Sequence, residues 1–446
     1  METKMTQGKP LAVILRFMLP VFLGNVFQQF YNMVDIIIVG KFVGTRALAG
    51  VGSTGTIMFL VMGICIGMTV GFSVLTSQKF GAGNEAETRR SVANGIILSF
   101  LVVLIMTSLS LLFMHPILHL MNTPPDIYDS AYAYISTICK GIIATLFYNL
   151  FASYLRAIGN SRVPLYFLIF SSLLNILLDM LLIIRFRMGT AGAAWATNIS
   201  QGISAVLCLI FILKKVPGLR PAREHWRLNK DDTRSQLAAG IPMAAQYGIT
   251  ASGTMIMQSA INIFGSTAVA AFTAASKTQN LLMQGFISMG QTMASYAGQN
   301  FGHGSIDRVE QGCRDAMKYV LVYSLLAAAL ALIFMKPMLA LFFSSDVNIS
   351  EILPWARVYV KECVVCYIPL GAIFVYRNSM QGCGYGLHAM TMGIVELFAR
   401  MTAAMAAMRL MSFPLAAGAD PFAWLTGGIF GYGMYRYVMR QIHKKM

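Results

Sequence analysis

The stretch TSQKFGAGNEAETRR (76–90) follows the second long apolar segment of the chain, and YAGQNFGHGSIDRVE (296–310) follows the eighth. Both stretches contain Gln-x-Phe-Gly-x-Gly, and each residue of the first copy lies 221 positions before its counterpart in the second. At the same offset, Gly44 matches Gly265. These glycines suit tight turns with positive φ. The chain therefore consists of two related halves that run in the same direction.

The composition is typical of a membrane protein. Of the 446 residues, 57% are hydrophobic and only 12% are charged, whereas a soluble domain carries about 25% charged residues. Apolar runs of roughly 20 residues, the length that crosses a bilayer, recur along the chain. We predict an all-α polytopic membrane protein with twelve transmembrane helices, over 11–39, 46–76, 91–115, 128–154, 163–185, 190–213, 236–263, 267–296, 316–342, 352–379, 387–410 and 416–438.

One extended polar segment, KKVPGLRPAREHWRLNKDDTR (214–234), divides the predicted helices into two sets of six. We therefore assign residues 1–213 to an N-lobe, 214–234 to a cytoplasmic linker and 235–446 to a C-lobe. Because each lobe has an even number of helices, both lobes begin on the same side of the membrane. The two six-helix repeats are therefore parallel, related by an axis along the membrane normal.

The distribution of basic residues predicts the orientation. A net charge of +16 would suggest nucleic acid binding in a soluble protein, but here the excess lies in short loops. With both termini cytoplasmic, 23 basic residues, Arg377 among them, lie inside and seven lie outside, as the positive-inside rule requires. The first apolar run is too long for a cleavable signal peptide and should remain as helix 1. We expect a monomer in the lipid bilayer of the cell membrane, with no nucleic acid partner.

Four segments carry a family resemblance: DIIIVGKFVGTRALAGVG (35–52), QKFGAG (78–83), LRAIGNSRVP (155–164) and QNFGHG (299–304). Together they resemble the multidrug and toxic compound extrusion (MATE) family over essentially the whole chain. The resemblance implies a transporter that exports small-molecule organic cations or drugs by alternating access, in exchange for Na⁺ or H⁺. It implies no other cofactor. An intramembrane enzyme would need a motif such as H-E-x-x-H, which the sequence lacks.

Two acids in the predicted helices of the first half are candidates for cation coupling. An ionisable group in a membrane helix costs at least a few kcal/mol, so Asp35 and Asp179 each need a reason to be there. Asn175 precedes Asp179 by one turn and shares its helix face, and Thr197 adds a hydroxyl. Such oxygens suit a hard cation such as Na⁺, and two neighbouring carboxylates can also share a proton. In the MATE resemblance these four residues match an N-lobe cation site, although the acids could instead cap helix ends.

Pro20 lies 15 residues before Asp35 in the same predicted helix. A proline inside a helix removes a backbone hydrogen bond and permits a kink. The resemblance implies a hinge at Pro20 that bends when the Asp site changes occupancy, and a static kink is the alternative.

Four further charges in the predicted helices are candidates for the cleft. Glu396 and Arg400 are spaced for an ion pair within one helix, with Lys277 expected nearby. Lys140 departs from the family pattern, and it could pair with Asp35 or Asp179 and disfavour Na⁺. The second half has no counterpart of the acid pair, so coupling is expected through the N-lobe alone.

Two other functions stay open at the level of sequence. A lipid-linked precursor flippase of the same superfamily would use basic residues such as Lys140, Lys277 and Arg400 to bind a pyrophosphate. An uncoupled channel or membrane receptor is the alternative of another class. The buried acid pair argues against both.

Overall fold

The structure is a computed structural model that describes residues 4–121, 123–340 and 349–445. The described residues form helices joined by short turns, and no β-strand occurs among them. The all-α prediction is therefore confirmed. The predicted end of helix 9 at residue 342 and position 122 of the loop after helix 3 lie outside the described residues.

The helices follow the predicted order, and several consist of two pieces. Their bounds are Pro10–Phe42 (helix 1), Thr45–Ser53 with Gly55–Gly81 (2), Glu85–Leu120 (3), Pro125–Lys140 with Ile142–Ala157 (4), Arg162–Asp179 continued by a π-helical turn Met180–Arg185 (5), Gly189–Lys215 (6), Lys230–Asn262 (7), Ser266–Gly302 (8), Ile306–Ile333 (9), Ile349–Val365 with Tyr367–Gly382 (10), Gly386–Leu410 (11) and Phe413–Ala417 with Ala419–Lys445 (12). A short helix, Met335–Ala340, follows helix 9.

Length and composition single out most of these helices as membrane spans. Within the described residues, seven are long and apolar enough to cross a bilayer, and the bent pairs of helices 4 and 10 raise the number to nine. Helices 7, 8 and 12 have 33, 37 and 27 residues, so length does not exclude them. They fall short because their composition is more polar.

Helices 4 and 10 are broken at equivalent positions. Helix 4 bends by 49° at Gly141, and helix 10 bends by 51° at Cys366, which lies 225 positions later. Gly159 and Gly384 have the same separation, and their φ angles are +85° and +87°. A residue with a side chain rarely adopts this conformation. The two halves therefore repeat in backbone geometry as well as in sequence.

The chain divides into two compact units. Unit 1 comprises Met1–Thr6, Leu19–Tyr247 and Gly298–Gly304. Unit 2 comprises Gln7–Met18, Gly248–Ala297 and Ser305–Met446. Helix 1 thus passes from unit 2 to unit 1 between Met18 and Leu19, immediately before Pro20.

Inside unit 1, the two Gln-x-Phe-Gly-x-Gly segments pack on each other reciprocally. A Cβ atom on Gly81 would overlap the backbone carbonyl of Gln299, and a Cβ atom on Gly302 would overlap that of Gln78. The Gln299 side chain donates to the Ala157 carbonyl at 2.8 Å. These glycines therefore allow a close backbone approach, in addition to the turns predicted for the segments.

The polar linker is attached to helix 3. The Asn94 side-chain oxygen accepts from the Asn229 backbone N–H at 2.9 Å. Arg90 Nε lies 2.7 Å from the carboxylate of Asp232. A hydrogen bond from a buried asparagine and an ion pair thus join helix 3 to the last residues of the linker. The end of 214–234 is therefore held in place by the first half of the chain.

Candidate cation-coupling site

Three helices of unit 1 bring the predicted coupling residues together. Helix 5 carries Asn175 and Asp179 one turn apart, and both are buried, with relative exposures of 1% and 0%. Helix 6 supplies Thr197, which is also buried. Helix 1 supplies Asp35, whose carboxyl group lies close enough to that of Asp179 to interact. The arrangement places two acids, an amide and a hydroxyl at one locus.

The neutral members of this cluster hold one another in place. Asn175 Nδ2 donates to Thr197 Oγ1 at 3.4 Å. Thr197 Oγ1 in turn donates to the Ala193 carbonyl one turn earlier, at 3.2 Å. The amide oxygen of Asn175 therefore faces away from Thr197 and is available as an acceptor.

Several oxygen atoms of this cluster have no hydrogen-bond donor beside them. Among the described residues, Asp35 Oδ1, Asn175 Oδ1 and both carboxylate oxygens of Asp179 are buried and accept no hydrogen bond. Two ionised carboxylates cannot donate to each other, and a buried acceptor without a partner costs about 1–3 kcal/mol. A cation or a shared proton would remove this cost. These oxygen atoms therefore suit Na⁺ as ligands, because hard cations take oxygen ligands.

The sequence interpretation missed three polar neighbours of the acids. The Tyr31 hydroxyl lies near the side chain of Gln201, and both residues are buried. The Tyr134 hydroxyl lies near both acids and contacts the Met58 sulfur at 3.9 Å. Tyr31 lies one turn before Asp35, and Gln201 lies one turn after Thr197, so helical spacing could have identified both. Nothing in the sequence points to Tyr134.

Helix 5 changes its winding directly after the site. The α-helix ends at Asp179, and a π-helical turn runs over Met180–Arg185. Such turns are rare and often occur at functional sites, because they release part of the regular hydrogen-bond ladder. Helix 1 is continuous through the buried Pro20, so its role as a hinge stays a prediction.

The possible pairing of Lys140 with Asp35 or Asp179 is absent from the described residues. Lys140 is the last residue before the break in helix 4 and is exposed. It makes no ion pair with Asp35 or Asp179, whose unpaired oxygens are buried. An exposed lysine therefore does not neutralise the buried acid pair.

Unit 2 buries a four-residue network of charges. Glu396 lies 3.3 Å from Arg377 Nη1 and 3.8 Å from Arg400 Nη2. Arg400 Nε also donates to Asp420 Oδ1 at 2.6 Å. The expected pairing of Glu396 with Arg400 is therefore present, and the network adds Arg377 and Asp420, which the sequence interpretation missed.

Two assignments change as a result. Arg377 is buried in helix 10 and is not a cytoplasmic loop residue, so the inside count falls from 23 to 22 and the bias remains. Lys277 is exposed on helix 8 and takes no part in the network, because the two arginines already neutralise the two acids.

The described residues contain no group of three or more His, Cys, Asp or Glu side chains arranged to hold a metal ion. The oxygen cluster around Asp35 and Asp179 therefore consists of two carboxylates and neutral oxygen ligands. Such a set carries less charge than a typical divalent metal site.

The MatE family model matches the chain twice, over residues 20–181 and 242–405. The chain is 28% identical over 402 residues to the probable multidrug resistance protein YpnP of Bacillus subtilis, covering 88% of this chain and 87% of that protein. It is 23% identical over 373 residues to an FAD transporter of Shewanella oneidensis, covering 82% and 81%. The double match agrees with two repeats in the same direction.

Solved structures share the fold. An outward-facing multidrug resistance MATE transporter of the MOP superfamily has a TM-score of 0.91 at 20% identity, with 98% of each chain covered. A MOP superfamily transporter from Pyrococcus furiosus has a TM-score of 0.92 at 20% identity, covering 99% of this chain and 98% of that one. Such likeness establishes the twelve-helix MATE fold for the chain.

Proposed function

Since this chain belongs to the MatE family of multidrug efflux transporters, we propose that it exports small organic molecules, organic cations among them, in exchange for Na⁺ or H⁺. We place this activity in the cell membrane, with both termini cytoplasmic and the protein acting as a monomer. The proposal rests on one observation, the buried oxygen cluster of unit 1 that lacks donors.

Asp35 and Asp179 supply the negative charge of the cluster. When both are ionised, their like charges repel each other, and a medium of low dielectric strengthens this repulsion. A bound Na⁺ held by these carboxylates with Asn175 and Thr197 would end the repulsion, and so would a proton shared by the two acids. The cluster thus changes its net charge when the driving ion arrives.

Coupling requires that the two conformations of the transporter bind the ion with different affinity. Helix 1 carries Asp35 in unit 1, while its first residues, Gln7–Met18, belong to unit 2. Pro20 lies two residues beyond this change and has no backbone N–H to donate. We infer that a change in position of Asp35 is transmitted along helix 1 at this proline.

The buried charge network of unit 2 is expected to contribute no second coupling site. Glu396 and Asp420 are both paired with arginines, so neither offers an uncompensated negative charge. Arg400 is occupied by the same pairs, which also weakens the case for a flippase that binds a pyrophosphate.

Everted membrane vesicles test the proposal. They are supplied with a fluorescent organic cation, and a Na⁺ gradient and a pH gradient are imposed separately. We expect uptake of the dye under one of the gradients and its loss in Asp179→Asn. Equal uptake with and without gradients would indicate an uncoupled channel and would contradict the proposal.

A further inference from the structure

Helix 8 carries a polar stripe on its exposed side. Thr273, Lys277 and Asn280 are exposed, and Ser276 is half-buried. The spacing of these residues places them on one face over two turns. The opposite side of the helix is buried, where Gln279 accepts a hydrogen bond from the Tyr367 hydroxyl at 2.5 Å.

This stripe belongs to a helix that the sequence predicts to span the membrane. Lys277 is the twelfth residue of Ser266–Gly302 and falls inside the span predicted from the sequence, 267–296. A lysine and an amide that faced lipid there would cost several kcal/mol. Exposed polar side chains at this depth therefore line a water-filled surface.

Lys140 provides the contrasting case. It is also an exposed lysine in the middle of a helix, but the next exposed residue on its face is Ile143, with a relative exposure of 45%. Ser136 and Thr137, one turn before it, are buried. A single lysine on an apolar surface is typical of a side chain that faces lipid, since its aliphatic stem can extend toward the membrane–water interface.

The stripe is positive and has no acid beside it. Residues 248–297 contain no Asp or Glu, and Lys277 is their single charge. Among the described residues Lys277 makes no ion pair. The Thr273 and Ser276 hydroxyls donate to backbone carbonyls of their own helix, at 2.8 and 2.9 Å. Lys277 and Asn280 are therefore the donors that the stripe offers to a ligand.

We propose that Lys277, aided by the Asn280 amide, recognises an anionic group on the exported molecule. A carboxylate, sulfonate or phosphate would accept charge-assisted hydrogen bonds from the ammonium. The inference rests on the proposed export function and narrows its substrates to molecules that carry such a group, alone or together with a cationic group.

Rhodamine B and its ethyl ester form a matched pair for the test, because they share the cationic ring system and differ in one carboxylate. Export of each dye is measured in vesicles containing equal amounts of folded protein. We expect wild type to export the acid with the higher kcat/KM. Lys277→Gln should reduce this preference about tenfold, the worth of one hydrogen bond to a charged group, and Lys277→Arg should retain most of it.

The matched control is Lys140→Gln, which should keep the wild-type preference. Cysteine variants give a readout that does not depend on transport: a membrane-impermeant anionic thiol reagent should label Lys277→Cys and spare Lys140→Cys. The seven native cysteines are buried or half-buried, so background labelling is low.

The outcomes separate the two proposals. If Asp179→Asn loses export of both dyes, that result bears on ion coupling only and does not test the anion site. An unchanged acid-to-ester ratio in a folded Lys277→Gln, or failure to label Lys277→Cys, would overturn the anion site while leaving coupled export intact.

Discussion

The network in unit 2 makes a quantitative prediction about Glu396→Gln. Glu396 is buried, with a relative exposure of 7%, and contacts Arg377 and Arg400. The four charges of the network cancel, and removing the Glu396 carboxylate leaves an uncompensated positive charge. Arg400 keeps Asp420 at 2.6 Å, and Arg377 loses its contact with the Glu396 carboxylate at 3.3 Å. Breaking a buried pair in this way costs about 3–5 kcal/mol, and we expect a large fall in thermal stability.

The assay is a double-mutant cycle on purified protein. Arg377→Met together with Glu396→Gln removes one charge of each sign, so the double variant should be more stable than Glu396→Gln alone. Thermal unfolding of wild type, both single variants and the double variant measures the coupling between the two residues. Strictly additive destabilisation would refute the pairing, and a stable but transport-dead Glu396→Gln would show that this acid belongs to the transport mechanism.

Two further predictions concern packing and topology. Gly81→Ala should destabilise the protein because the added methyl meets the Gln299 backbone, whereas Gly52→Ala, with open space around it, should be tolerated. Thermal unfolding of both variants measures the difference, and equal stability would contradict the close approach of Gly81 to Gln299. A reporter fused after Met446 should be cytoplasmic and one inserted in the 121–126 loop external, and the opposite pattern would overturn the predicted orientation.

Helical periodicity and polarity sufficed for much of the candidate site. Asn175 and Asp179 are one turn apart, so their shared face follows from the sequence, and acids in an apolar helix stand out because of their desolvation cost. Tyr31 could have been identified from its position one turn before Asp35. These features are local along the chain, which is why the sequence reveals them.

Features that depend on tertiary contacts could not be read in the same way. Arg377 lies near the end of a predicted span and resembles a loop residue, yet its partner is 19 positions away on the next helix. Asp420 sits in the first turn of a helix after a short break, and nothing local marks it as the partner of Arg400. The exposure of Lys140 depends on which helices pack against helix 4, and spacing along the chain does not reveal that packing.

Ion coupling through Asp35 and Asp179 is tested most directly by gradient-driven efflux per folded molecule in Asp35→Asn and Asp179→Asn. Asp129→Asn is the matched control, because Asp129 is an exposed acid near the start of helix 4. Neutralising a buried acid that lacks donors removes a desolvation cost, so both variants should fold. We predict that each variant loses coupled efflux while Asp129→Asn retains it. Full efflux by both folded Asp variants would contradict the assignment of ion coupling to unit 1.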